Sequence, residues 1–143
     1  MRAAARLRVL LAERHPGVRG ALRADLEDAG FDVCAEVGDA DEAVDAARRE
    51  RPDVCLLDAA VTGGAADAVA RLAAESPESR VVVLAVSRDE DALVAAFHAG
   101  AAGYLPKDVA ARRLGPALAS VAAGGTILPR TLAPRVLERR DGR

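Results

Sequence analysis

The chain has 143 residues, with 20 basic and 22 acidic side chains and a formal net charge of −2 at pH 7. That length fits one domain with a single hydrophobic core, able to fold without disulfide or metal staples. The near balance of charge, with Phe31, Phe97 and Tyr104 as the only aromatics, leaves neither a basic stripe nor a base-stacking surface, and no stretch approaches the ~20 apolar residues of a membrane span. Direct nucleic-acid binding and membrane insertion therefore drop out of the expectations. Met1 is followed by Arg-rich sequence with no apolar core or small-residue cleavage site, so the expected address is the cytoplasm. Cys34 and Cys55 fall inside strand-like runs without CxxC spacing and read as buried, reduced thiols. Among the basic side chains Lys107 is the only lysine.

In chain order, Leu7 to Ala12 is a short apolar run without two-fold alternation, as suits a parallel strand covered on both faces. Pro16 can open a helix in which Val18, Leu22 and Leu26 recur every four residues, and Gly30 supplies a left-handed stop. Phe31 to Val37 alternates, with Phe31, Val33, Ala35 and Val37 on one face, and predicts a half-exposed edge strand. Asp39 with Glu42 has capping-box spacing before a second helix closed by Pro52. Asp53 to Leu57 is a third strand, and a helix near Ala65 to Glu75 follows the Gly63 and Gly64 loop. Val81 to Val86 is a fourth strand. Ser87 with Glu90 again has capping-box spacing, before a helix closed by Gly100. A fifth short strand runs from Ala102 to Leu105, and a last helix ends at Gly124 and Gly125, either starting at Pro116 or kinking at Gly115 and Pro116.

Five sequential βα units with short loops require right-handed crossovers, hence a parallel sheet between two helix layers. The expected fold is a flavodoxin-like doubly wound α/β sheet of five strands in the order 2-1-3-4-5, with function gathered at the carboxyl ends of the strands. Those ends are Glu13 and Arg14, Asp58 onward, Ala85 to Ser87, and Pro106 with Lys107.

The segments LRVLLAERHPGVRGAL, RPDVCLLD, HAGAAGYLPKD and VAAGGTILP carry these ends in register. Over residues 7 to 125 the chain resembles the receiver domains of response regulators, most of all the LuxR/NarL-type branch. The resemblance implies that Asp58 stands where the family accepts a phosphoryl group from a histidine kinase. It gives Lys107 the place of the lysine that pairs with that group or with the free aspartate, as a charge on a flexible stem can. Tyr104 occupies the aromatic position that switches between exposed and buried states, and a partly buried core-edge aromatic is an equal reading of it.

The chain also departs from the family pattern. The acidic pair that helps hold Mg²⁺ reads Glu13 and Arg14, with a cation in place of the second acid. The expectation is a weak or absent metal site, with Glu13 and Asp58 its only acids. Arg14 is open to two readings, a resident substitute for the ion lying against Asp58 or a side chain turned to solvent. Ala85 replaces the Thr or Ser whose hydroxyl latches the phosphoryl group, a loss of about 1.5–3 kcal/mol. After Asp58, Val61 and Thr62 replace the family's Met and Pro, Gly63 alone fitting, and Thr62 reads as a cap or loop hydroxyl.

Residues 1–125 are thus expected to be the receiver, and 126–143 a helical, basic extension or linker in which Arg135, Arg139 and Arg140 line a solvated face. Too few residues follow for the family's DNA-binding domain, which leaves a stand-alone receiver or the regulatory half of a transcription factor. An enzyme is not expected, since there is no GxGxxG after the first strand and no second aspartate two residues after Asp58. The partners expected are a cognate histidine kinase and a second copy through helix faces. The alternative is a pseudo-receiver that dimerises, binds a partner or senses a small ligand without phosphorylation.

Overall fold

The computed structural model describes residues 6–86 and 89–142, the last four of these as backbone only. Met1 to Ala5, Ser87, Arg88 and Arg143 lie outside the described residues, and so do the expected Ser87 cap and the side chains of Arg139 and Arg140.

The elements are β1 (Arg8–Ala12), α1 (Pro16–Asp28), β2 (Asp32–Val37), α2 (Ala40–Glu50), β3 (Val54–Asp58), α3 (Ala65–Glu75), β4 (Arg80–Ala85), α4 (Glu90–Ala99), β5 (Gly103–Pro106), α5 (Ala111–Ala122) and α6 (Ala133–Gly142). The strands form one parallel sheet in the order β2-β1-β3-β4-β5, the flavodoxin-like arrangement expected from the βα alternation. Successive strand residues face opposite helix layers. Val9, Leu11, Val54, Leu56, Val82 and Leu84 pack under α1 and α5. Leu10, Ala12, Cys55, Leu57, Val81 and Val83 pack under α2, α3 and α4. Both faces are apolar, which is why the central strands show no two-fold alternation in sequence. Among the described residues no helix is long and apolar enough to cross a membrane.

Two local features differ from expectation. On β2 the partner of Val9 is Val33 but that of Leu10 is Ala35, so one residue is extra at Cys34. This bulge moves Phe31 and Val33 onto the α1/α5 side and Ala35 and Val37 onto the α2 side, where simple alternation puts all four on one face. Val18, expected to continue the Leu22 and Leu26 row, is 38% exposed. Asp89 caps α4, its side chain accepting from the Ala92 N–H at 3.2 Å. Thr62 is exposed in its loop, in line with the loop-hydroxyl alternative, and α3 has Gly64 at its N-cap with no side-chain cap.

Helix α5 runs without a break from Ala111 through Pro116. Gly115 is buried against α1, and a Cβ there would stand 3.1 Å from Ala29 Cβ. The segment after Gly125 is packed onto the domain. Ile127 forms a parallel bridge with Gly103 at the free edge of β5, where a Cβ on Gly103 would lie 3.1 Å from Ile127 Cβ. Beyond it Leu132 is fully buried and Val136 nearly so in the α2/α3/α4 cluster. The His98 ring Nε2 lies 2.9 Å from the Val136 carbonyl, and Arg135 pairs with Glu90 and Asp91.

Candidate functional site at the strand ends

β1, β3, β4 and β5 end side by side, with Asp58 in register with Leu84 and Ala85 with Pro106. The Glu13 N–H donates to the Val37 carbonyl at 3.0 Å, and Arg19 Nη1 donates to the Glu13 carbonyl at 2.9 Å. Held in this way, the Glu13 side chain turns inward and is fully buried. Arg14 turns outward. Its guanidinium is exposed, with Nη1 3.5 Å from the Ala60 carbonyl, and among the described residues it forms no ion pair with Asp58. The outward reading of Arg14 is the one the geometry supports.

Asp58 closes β3 and is 1% exposed. Its Oδ1 accepts from the Ala60 N–H at 2.9 Å, and its Oδ2 lies 3.2 Å from the Lys107 ammonium. Lys107 follows β5, where its own N–H is tied to the Ala85 carbonyl at 3.0 Å. Its Nζ also sits 2.7 Å from Glu13 Oε1. Apart from that ammonium, neither Glu13 Oε1 nor Asp58 Oδ2 has a hydrogen-bond partner among the described residues.

The other oxygen of Glu13 holds a residue that the sequence reading passed over. Oε2 accepts from the His15 backbone N–H and lies against the ring Nδ1, both at 3.0 Å. The signal available was only position, since His15 stands two residues past Glu13 at a strand end. Burial pushes the Glu13 carboxyl up, but Lys107 and the His15 backbone and ring donors outweigh it and hold the carboxyl below its ordinary value. The two buried carboxylates and one ammonium leave one surplus negative charge.

Ala85 is buried at the end of β4 and presents a methyl group where a hydroxyl was sought. Beside it a cavity of about 290 Å³ is lined by His15, Asp58, Ala85, Val86 and Lys107 among others. Tyr104 is half-buried on β5 against the α2/α3/α4 cluster. Cys34 is half-buried and Cys55 buried, both free, and burial pushes the Cys55 thiol up to about 12.

The sequence profile of the response regulator receiver domain matches residues 9–119. The chain belongs to this family. It is a receiver of the NarL/LuxR type, similar to the nitrate/nitrite response regulator protein homolog of Haemophilus influenzae (33% identical, covering 94% of this chain and 65% of the relative). The DNA-binding transcriptional activator DevR/DosR of Mycobacterium tuberculosis is 32% identical, over 95% of this chain and 64% of the relative. This receiver thus spans less than two thirds of the length of these curated relatives. Among solved structures, the signal receiver domain of the response regulator NarL from Mycobacterium tuberculosis superposes with a TM-score of 0.81 at 27% identity, covering 85% of this chain and 99% of that one. A LuxR-family two-component response regulator from Aurantimonas gives a TM-score of 0.80 at 28% identity, over 95% and 99%.

Receiver domains are generally not enzymes, and they bind Mg²⁺ at an acidic pocket. That ion takes a near-octahedral set of oxygens and gives up water reluctantly. Here two carboxylate oxygens face one space, Lys107 already lies between them, Arg14 stands at the second acid's place, and the third side chain grouped with them is the His15 imidazole. This donor set does not fit Mg²⁺.

Proposed function

We propose that this receiver transmits signals chiefly through protein contacts, with Asp58 at the phosphoacceptor position held in a resident ion pair. Its output on this reading is transcriptional, through an output domain outside this chain, and its setting is the family's usual cytoplasmic one. The observation that carries the proposal is the buried Glu13–Lys107–Asp58 arrangement, at 2.7 and 3.2 Å, with Arg14 turned away. A phosphoryl group on Asp58 would add negative charge to a pocket that already has a surplus, without a second acid to hold a neutralising ion and without a hydroxyl on residue 85. Each of the two pairs attracts by about 5–6 kcal/mol at an effective dielectric near 20, before desolvation is subtracted. Partners on this reading are a histidine kinase that docks without efficient transfer and a second copy of the chain.

A second reading, slow phosphorylation, is favoured by the retained Asp58–Lys107 pair beside an open cavity. Incubation of the full chain with phosphoramidate and Mg²⁺, followed by intact mass, separates the two. The expected result is at most a trace adduct, with sedimentation behaviour the same in Asp58→Asn. An adduct near one phosphoryl group per chain that disappears in Asp58→Asn overturns the proposal.

A further inference from the structure

We propose that the segment from Ile127 to Val136 is a strap that positions Lys107, so that its seating and the ion pairs at Asp58 are two ends of one conformational device. The proposal deepens the reading of a resident ion pair and rests on it.

Lys107 hangs from the end of a short strand. β5 has four residues, and Pro106, its last, has no N–H to give to the ladder. At the two ends of its pairing with β4, the Ala102 N–H donates to the Val81 carbonyl at 2.8 Å and the Lys107 N–H to the Ala85 carbonyl at 3.0 Å. On the outer side the strand is bridged by Ile127. The Tyr104 N–H donates to the Ile127 carbonyl and the Ile127 N–H to the Ala102 carbonyl, both at 3.0 Å. A Cβ on Gly103 would stand 3.1 Å from Ile127 Cβ, so the missing side chain is what admits the strap this close.

The strap is itself seated elsewhere. Leu132 and Val136 are buried in the α2/α3/α4 cluster, and Tyr104 and Leu128 pack against the same cluster. A cavity of about 920 Å³ separates Ile127, Leu128 and Pro129 from Pro106, Asp108 and Val109, the chain neighbours of Lys107 among them. The segment that carries Lys107 therefore has open space on one flank. An edge strand that loses its outer bonds opens more readily than the sheet behind it. Unseating the strap moves the base of the lysine stem, whose ammonium stands 2.7 Å from Glu13 and 3.2 Å from Asp58. This route runs through backbone and needs no hydroxyl at residue 85, where the chain has Ala85.

Because Lys107 is the only lysine, acetylation of the full chain with an amine-reactive ester, followed by peptide mass mapping, reads its ammonium apart from the α-amino group. The parent is expected to react slowly, since the side chain is 12% exposed and paired twice. Leu132→Ala should speed the reaction about fivefold or more. Leu26→Ala removes an equally buried leucine from the α1/α5 cluster and should leave the rate within about twofold of the parent. Gly103→Ala, which crowds Ile127, replaces Leu132→Ala if circular dichroism shows that variant unfolded. In the reverse direction, Asp58→Asn loosens Lys107 and should hasten amide hydrogen exchange at Tyr104 and Ile127, because coupling between two ends is reciprocal. An acetylation rate unchanged by unseating the strap, an equal acceleration in Leu26→Ala, or exchange at Ile127 indifferent to Asp58→Asn each overturns the proposal. No phosphodonor enters these measurements, so failure here leaves the intact-mass result for Asp58 standing by itself.

Discussion

Glu13 has no exposed surface and no spare oxygen, and its charge is maintained by two neighbours from different elements, Lys107 after β5 and His15 before α1. Burial opposes the charged form, the donors outweigh burial, and the folded carboxyl therefore titrates below the ordinary ~4.3 of an unfolded chain. A depressed carboxyl contributes stability that is complete above its unfolded value and fades as pH falls through its folded value. Urea unfolding should accordingly show the wild type losing stability below about pH 5, and Glu13→Gln losing less over the same range. At pH 7 the substitution should cost about 1–3 kcal/mol, since it removes the charge and turns one of two acceptor oxygens into a donor facing other donors, while Lys107 keeps Asp58. Parallel pH curves for the two proteins would mean that Glu13 is not held as described. Much of this chemistry was legible in the sequence, because a lone lysine and an aspartate at the carboxyl ends of β5 and β3, on either side of β4, converge by topology. The role of His15 was not, because its contact to Glu13 depends on which way a two-residue turn folds back.

At the level of elements, the sequence reading located every strand and helix of the sheet sandwich, because each βα unit carries a buried run and a punctuated amphipathic stretch. It misplaced the faces of β2, since a bulge at Cys34 adds one residue and shifts every later side chain to the opposite layer, and period-two patterning carries no mark of the insertion. Pro116 marked a break in sequence, yet α5 continues through it. Leu114, Leu118 and Val121 bury one face of that helix, and the proline itself is exposed. The preceding glycine has a more specific purpose, which is to let α5 approach α1. Gly115→Ala would gain about 1 kcal/mol of helix propensity but place its methyl group 3.1 Å from Ala29 Cβ, closer than two packed methyl groups tolerate. The expected net result is a loss of about 1 kcal/mol, recovered in large part when Ala29→Gly is added. Chemical denaturation of the four proteins of that double-mutant cycle measures the coupling, and simple additivity would remove the packing explanation.

For the whole molecule, the question is where the domain ends. A boundary after Gly125 follows from the helix stop at Gly124 and the prolines beyond it, but the segment from Ile127 to Val136 makes two kinds of contact with the rest of the fold. Backbone bonds from Tyr104 N–H to the Ile127 carbonyl and from Ile127 N–H to the Ala102 carbonyl, both 3.0 Å, close the β5 edge of the sheet. Leu132 then fills the cluster under α4 with no exposed surface. The arginine pairs of α6 lie at the surface and add little, so the docking depends on this leucine and its neighbour Val136. Leu132→Ala should destabilise the chain by about 2–5 kcal/mol, a fall in Tm of roughly 5–15 °C for a domain of this size, while Arg135→Ala should leave Tm unchanged. A chain stopped at Gly125 should lose at least as much, and should associate as well, because the uncovered β5 edge presents unpaired backbone groups to another copy. Thermal melts with sedimentation velocity on the three variants decide the matter. A monomeric chain ending at Gly125 with the parent's Tm would show that residues 126–143 only rest on a domain complete without them.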